Sequence, residues 1–93
     1  MVDPFLPAAL GPLTLRNRII KSATFEGRSP RRAVTPALID FHRRVAAGGV
    51  GMSTVAYCAV SLDGTTDGHQ IVLTEVALPG LRELTEAIHA EGA

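Results

Sequence analysis

The residues in this 93-residue chain that could do chemistry are few and scattered. His42, His69 and His89 lack the spacing of a metal-ligand set. Cys58, the single cysteine, cannot form an internal disulfide and points to a reducing compartment. There is no Gly-x-x-x-x-Gly-Lys-Ser/Thr phosphate loop, no Cys-x-x-Cys pair and no nucleophile elbow. What remains is a polar string, Ser22, Thr24, Glu26, Arg28, Arg31 and Arg32, with Tyr57 further on. Hydroxyls at a strand end either fill loose backbone groups or meet a ligand, and local sequence does not choose between them. No residue is assigned as catalytic and none as a metal ligand.

The elements that would position these groups follow from periodicity and punctuation. Phe5 to Pro12 is proline-rich, with a turn at Gly11-Pro12. Leu13-Thr14-Leu15 then makes a short hairpin-like element that leads into a core strand, Arg18 to Ala23. Gly27 to Val34 reads as a solvated, arginine-rich loop, with a phosphate contact by Arg28, Arg31 or Arg32 as the alternative. Thr35 is an N-cap and Pro36 the first helical residue. Leu38, Phe41, His42 and Val45 share one face of that helix, which Gly48-Gly49 ends. His42 on this face reads as a satisfied core histidine. Val50 to Val60 reads as a strand buried on both faces, with Cys58 an inert thiol within it. Ser61 to Gln70 is a loop that places His69 at a rim. Leu78-Pro79-Gly80 opens a second helix with Leu81, Leu84 and Ile88 on one face, His89 near its C-terminal dipole and Gly92 as cap.

Strand, helix, strand, helix, with the long loops after the strands, predicts an α/β fold with a parallel sheet. In such folds the loops beyond the strand C-termini build the site. The length allows one small domain with a modest core. At 46% hydrophobic and 19% charged, the composition excludes disorder. Nine basic and nine acidic residues give zero net charge, so no field favours nucleic acid or an anionic membrane as partner. The N-terminus has no basic segment ahead of an apolar core, and Val50 to Leu62 is too short to span a bilayer, so a cytoplasmic protein is expected.

Leu13-Thr14-Leu15-Arg16-Asn17-Arg18-Ile19-Ile20 resembles the L-x-L-x-N-R-I opening of the old yellow enzyme, or NADH:flavin oxidoreductase, family. Thr35-Pro36 through Ala46-Ala47-Gly48-Gly49-Val50-Gly51 is similar to that family's first helix and second strand. Asp63-Gly64, and Leu78-Pro79-Gly80-Leu81 through His89-Ala90-Glu91-Gly92-Ala93, resemble its second loop and helix. The resemblance covers nearly all of the chain from Phe5.

It implies that residues 1–93 are the N-terminal two βα units of a TIM (β/α)₈ barrel. It implies FMN as cofactor, NAD(P)H as reductant, and a small-molecule acceptor with an activated alkene of the enone or dienoyl type. Ser22, Ala23, Thr24 and Phe25 would then lie against the flavin, where N–H groups and a hydroxyl stabilise charge developing on the reduced ring. Tyr57 would meet its pyrimidine edge, with Ala56 as the alternative contact. Glu26, beside this stretch, could touch substrate. The chain departs from the family at Ala23, where relatives commonly carry Pro, at Phe25, where they carry Thr or Cys, and at Tyr57, where they carry a small residue. The family's remaining flavin and acceptor ligands would lie beyond Ala93. The expected partner is therefore the remainder of the same barrel or further copies of this chain, since two βα units leave sheet edges open. The rival reading is a short non-catalytic βα module that folds by association. A different flavin barrel, related to dihydroorotate dehydrogenases, is a third.

Overall fold

The structure, a computed structural model, describes residues 2–93. An antiparallel hairpin comes first, pairing β1 (Ala8–Leu10) with β2 (Leu13–Leu15) in the register Ala8↔Leu15 and Leu10↔Leu13. Gly11, at φ +57, makes its two-residue turn possible, because glycine adopts that backbone without a Cβ penalty.

Next come β3 (Ile20–Lys21), α1 (Pro36–Ala47) and β4 (Met52–Ser53), with β3 and β4 parallel. Two 3₁₀ turns, Leu62–Gly64 and Glu75–Ala77, precede α2 (Leu78–Ala90). The expected hairpin-like start and the strand–helix–strand–helix order are both present. Thr35 caps α1 as its sequence position predicts, its Oγ1 accepting from Leu38 N–H at 3.1 Å. Gly49 at φ +111 and Gly92 at φ +93 take the left-handed conformation just past the two helix ends.

The strands are shorter than their sequences suggest. Ladder pairing in the Arg18 to Ala23 stretch is confined to Ile20–Lys21, and in Val50 to Val60 to Met52–Ser53. Past Ser53 the backbone donors find other partners. Thr54 N–H still bonds Lys21 O at 3.1 Å, but Ala56 N–H is taken by the Glu26 side chain at 3.0 Å. Ala59 instead bridges in parallel to Val72, through Ala59 N–H to Ile71 O at 2.9 Å and Leu73 N–H to Ala59 O at 2.7 Å. Sequence reasoning gave Ile71 to Leu73 no role in pairing.

The core lies where the two helices meet. Leu38 and Ala46 from α1 pack with Leu84 and Ile88 from α2, closed by Ile71 and Ala77. Of the face expected on α1, Leu38 and His42 are fully buried and Phe41 and Val45 half-buried. The opposite end is tied by the segment after the hairpin. Arg16 donates to Ala46 O at 2.6 Å, to Glu91 O at 2.8 Å and twice to Val50 O. It thereby gathers carbonyls from the C-terminal ends of both helices under one cation. Asn17 donates to Gly49 O at 2.6 Å, and its own Oδ1 accepts from Ile19 N–H. Gly51 allows this approach, because a Cβ there would lie 2.5 Å from Asn17 O.

Candidate functional site

The C-terminal edge of the parallel pair carries two segments side by side, residues 22–25 after β3 and 54–57 after β4. Ser22, Ala23, Thr24 and Phe25 are all exposed. Among the described residues, no protein acceptor takes the N–H groups of Ala23, Thr24 or Phe25. Thr24 Oγ1 bonds Ser22 O at 3.3 Å, so the two hydroxyl-bearing residues lean together. Lys21 Nζ sits just behind, donating to Ser22 O at 2.9 Å and Thr54 O at 3.3 Å.

Phe25 and Tyr57, 42% and 54% exposed, stand with ring centroids 6.0 Å apart and planes 32° from parallel. Two large aromatic surfaces left open to water side by side are costly to leave bare and suit a flat apolar ligand. The Tyr57 hydroxyl accepts from Thr66 Oγ1 at 3.2 Å, and Thr66 is braced by the buried Gln70. Ala56 is buried and its N–H is committed to Glu26, which leaves Tyr57 as the residue of that pair on the open face.

Glu26 does not reach outward. Its side chain is 6% exposed, and Oε1 takes both His42 Nε2–H at 2.9 Å and Ala56 N–H at 3.0 Å. A carboxylate only accepts, so Nε2 carries the hydrogen; in the neutral ring, Nδ1 then accepts from Ser53 Oγ–H at 2.8 Å. His42 is thus the satisfied core histidine that its helical position predicts. The expected substrate contact by Glu26 gives way to a buried polar link, because a His on α1 and a free amide on the second segment both lie inward of it. These partners are distant in sequence, and no local signal marks them.

Two arginines of the loop contact protein, while Arg31 is exposed. Arg28 stands 5.0 Å over the Phe41 ring, and Arg32, at φ 59, donates to Asp67 O at 3.2 Å. His69 is exposed, near Asp67. Cys58 is half-buried and its thiol is raised above the ordinary value, by burial first and the Glu26 charge second. A cleft of about 350 Å³ lies elsewhere, between β2, β4 and α2, lined by Leu13, Leu15, Val55, Ile88 and His89 among others. Its walls are mainly apolar, and of the strand-end segments only Val55 reaches it; Ser22, Ala23, Thr24, Phe25 and Tyr57 do not line it. Among the described residues no His/Cys/Asp/Glu group could hold a metal ion, and no helix is long and apolar enough to cross a membrane.

Residues 3–93 match the profile of the NADH:flavin oxidoreductase / NADH oxidase family. The chain belongs to this family. A member from Rhodococcus erythropolis, a 4,4'-dithiodibutanoate disulfide reductase, is 64% identical over 89 residues, 96% of this chain and 22% of that protein. A metal reductase from Desulforamulus reducens is 42% identical over 96% of this chain and 13% of its own length. This chain therefore spans less than a quarter of either relative. Among solved structures, a 2-naphthoyl-CoA reductase complex superposes with a TM-score of 0.92 at 30% identity, covering 97% of this chain and 14% of that one. Morphinone reductase shares the fold at a TM-score of 0.90 and 22% identity, over 100% of this chain and 25% of its own. These neighbours are TIM-barrel proteins of the old yellow enzyme family, and two small sheets with two helices make the arrangement of a partial barrel.

Proposed function

We propose that this chain forms the first two βα units of an FMN-dependent (β/α)₈-barrel reductase, and that Ser22, Ala23, Thr24, Phe25 and Tyr57 are its share of the flavin site. One observation carries the reading. Uncommitted N–H groups and two hydroxyls stand beside two open aromatic rings, at the strand-end edge where barrels of this kind bind ligands. That donor set fits a flat ring system with an acceptor-bearing edge. Bound there, FMN supplies hydride relay between a nicotinamide and an acceptor.

The chain's own part is to bind and to place. The Ala23 to Phe25 amides offer hydrogen bonds to a ring edge that gains negative charge on reduction, and the Thr24 hydroxyl joins them by turning its proton from Ser22 O, 3.3 Å away. Lys21, fixed by Ser22 O and Thr54 O, adds positive charge behind them. Phe25 and Tyr57 exclude water from one side. NAD(P)H is the reductant in this reading, and the acceptor is an activated alkene, which takes hydride at one carbon and a proton at the other. The Rhodococcus relative's name favours a second acceptor, an organic disulfide. There NAD(P)H, a proton and the disulfide give NAD(P)⁺ and two thiols. The partners are thus a small molecule and the rest of the barrel, or further copies of the chain.

FMN titration followed by flavin fluorescence tests the site. The complete barrel should bind one FMN, and residues 1–93 alone should bind weakly, because the phosphate site of such barrels follows strands 7 and 8. NAD(P)H oxidation with an enone, and separately with a dithiodialkanoate, selects the acceptor. Thr24→Val, which keeps shape and removes the donor, should lower the flavin midpoint by roughly 30 mV, the equivalent of ~1.4 kcal/mol in a two-electron couple. An unchanged midpoint with FMN fully bound would remove Thr24 from the site.

A further inference from the structure

Behind the strand-end face lies a buried polar link that the proposed chemistry leaves unused. The chain turns inward at Glu26, immediately after exposed Phe25, and the Glu26 and His42 side chains are 6% and 0% exposed. Taking a carboxylate out of water is unfavourable unless its lone pairs are filled. Here both bonds fall on one atom, Oε1, which receives His42 Nε2–H from α1 and Ala56 N–H from the second strand-end segment. Ser53 on β4 holds the far side of the His42 ring at 2.8 Å. One oxygen therefore joins the segment after β3, the helix behind it and the segment after β4.

The consequence falls on Tyr57. In extended chain, successive side chains point to opposite sides. Glu26 draws the Ala56 amide inward and the Ala56 side chain is buried, so Tyr57 is turned to the open face beside Phe25. Apart from this, Tyr57 has one polar stay, Thr66 Oγ1 at 3.2 Å. Hydrogen bonds to an ionised acceptor are roughly twice as strong as neutral ones. The Glu26 contact is thus the stronger of the two restraints.

We infer that Glu26 is a positioning residue of the strand-end face, setting the place of Tyr57 through the Ala56 amide with His42 and Ser53 as its anchor. The inference rests on the reading of that face as a flavin site. Glu26 itself touches no ligand.

The test uses the complete protein with Glu26→Gln, Glu26→Leu and Tyr57→Ala, and with Asn17→Ala as a variant weakened at the opposite end. Glutamine keeps a carbonyl oxygen for both donors, whereas leucine keeps none. Three quantities are read: the Tyr57 ring resonance without FMN, the FMN dissociation constant, and the absorption band of fully bound flavin. Glu26→Leu should move the Tyr57 resonance, weaken FMN about tenfold and shift the bound band, while Glu26→Gln stays within about threefold of wild type. Asn17→Ala should lower the melting temperature and leave the band in place. Added to Tyr57→Ala, Glu26→Leu should change the band no further, as expected when one residue acts through the other.

If Glu26→Leu does not fold, Glu26→Asp, which withdraws the oxygen by one bond, takes its place with the same expectations. An unmoved Tyr57 resonance, or an equal band shift with and without Tyr57, overturns the inference. Failure of the wild-type protein to bind FMN sinks the flavin reading alone, since the resonance still decides whether Glu26 places Tyr57.

Discussion

Removing the Arg16 side chain should loosen the end of the molecule opposite the strand-end face, and the size of the effect follows from its bonds. The guanidinium serves three carbonyl oxygens, Ala46 O, Val50 O and Glu91 O. Hydrogen bonds from charged groups contribute ~1.5–3 kcal/mol when desolvated. Only the Ala46 bond is part-buried, so it deserves the lower half of that range, and the exposed bonds to Val50 and Glu91 about 0.5 kcal/mol each. Holding a long side chain in one geometry offsets part of the gain.

Arg16→Ala should therefore cost about 2–3 kcal/mol. Arg16→Lys keeps the charge near both helix ends but cannot span three acceptors, and should recover about half. Urea unfolding of the complete protein measures this through the midpoint at constant slope. Gly92 offers an internal check, since its added Cβ would lie 2.5 Å from Arg16 Nη1 and its φ is +93. Gly92→Ala should thus cost less in the Arg16→Ala background than in the wild type. A loss under about 0.5 kcal/mol in Arg16→Ala would refute the clamp, because exposed surface changes fall within that margin. Full recovery by lysine would show that charge alone matters and geometry does not.

Two further outcomes follow from local packing and burial. Gly80→Ala should destabilise by about 1–2 kcal/mol despite alanine's better helix propensity, since its Cβ would meet Val34 Cβ at 2.7 Å; Val34→Ala in the same chain should relieve most of that loss in urea unfolding. Cys58, held above its ordinary value of 9.0 by burial and then by Glu26, should resist iodoacetamide until the pH passes that value, and Glu26→Gln should bring the onset of alkylation lower. Because the folded state keeps this proton more tightly than the unfolded chain, the Cys58 contribution to stability is complete below 9.0 and is lost as pH rises through the folded value. Cys58→Ala should flatten that part of the alkaline fall in the urea midpoint.

The helices and their ends were legible in the sequence by itself. Thr35-Pro36 starts α1, Leu38 and His42 mark its inner face, and Gly49 and Gly92 follow the helix ends, because capping and periodicity act within a turn or two of the chain. The family was legible too, in the run Leu13 to Ile20, although its chemical sense was not. Only the fold shows that Arg16 and Asn17 reach helix-end carbonyls from 30 to 75 residues away. The tertiary structure also decided where the strands stop and where Glu26 points. Ladder pairing depends on a neighbour's backbone, and past Ser53 the nearest acceptor for Ala56 N–H is a side chain rather than β3. A buried carboxylate is drawn to whatever donors surround it, and His42 and Ala56 N–H come together only when α1 has packed behind both strands. Sequence periodicity registers a residue's own neighbours along the chain, whereas these contacts are set by the distances that folding closes.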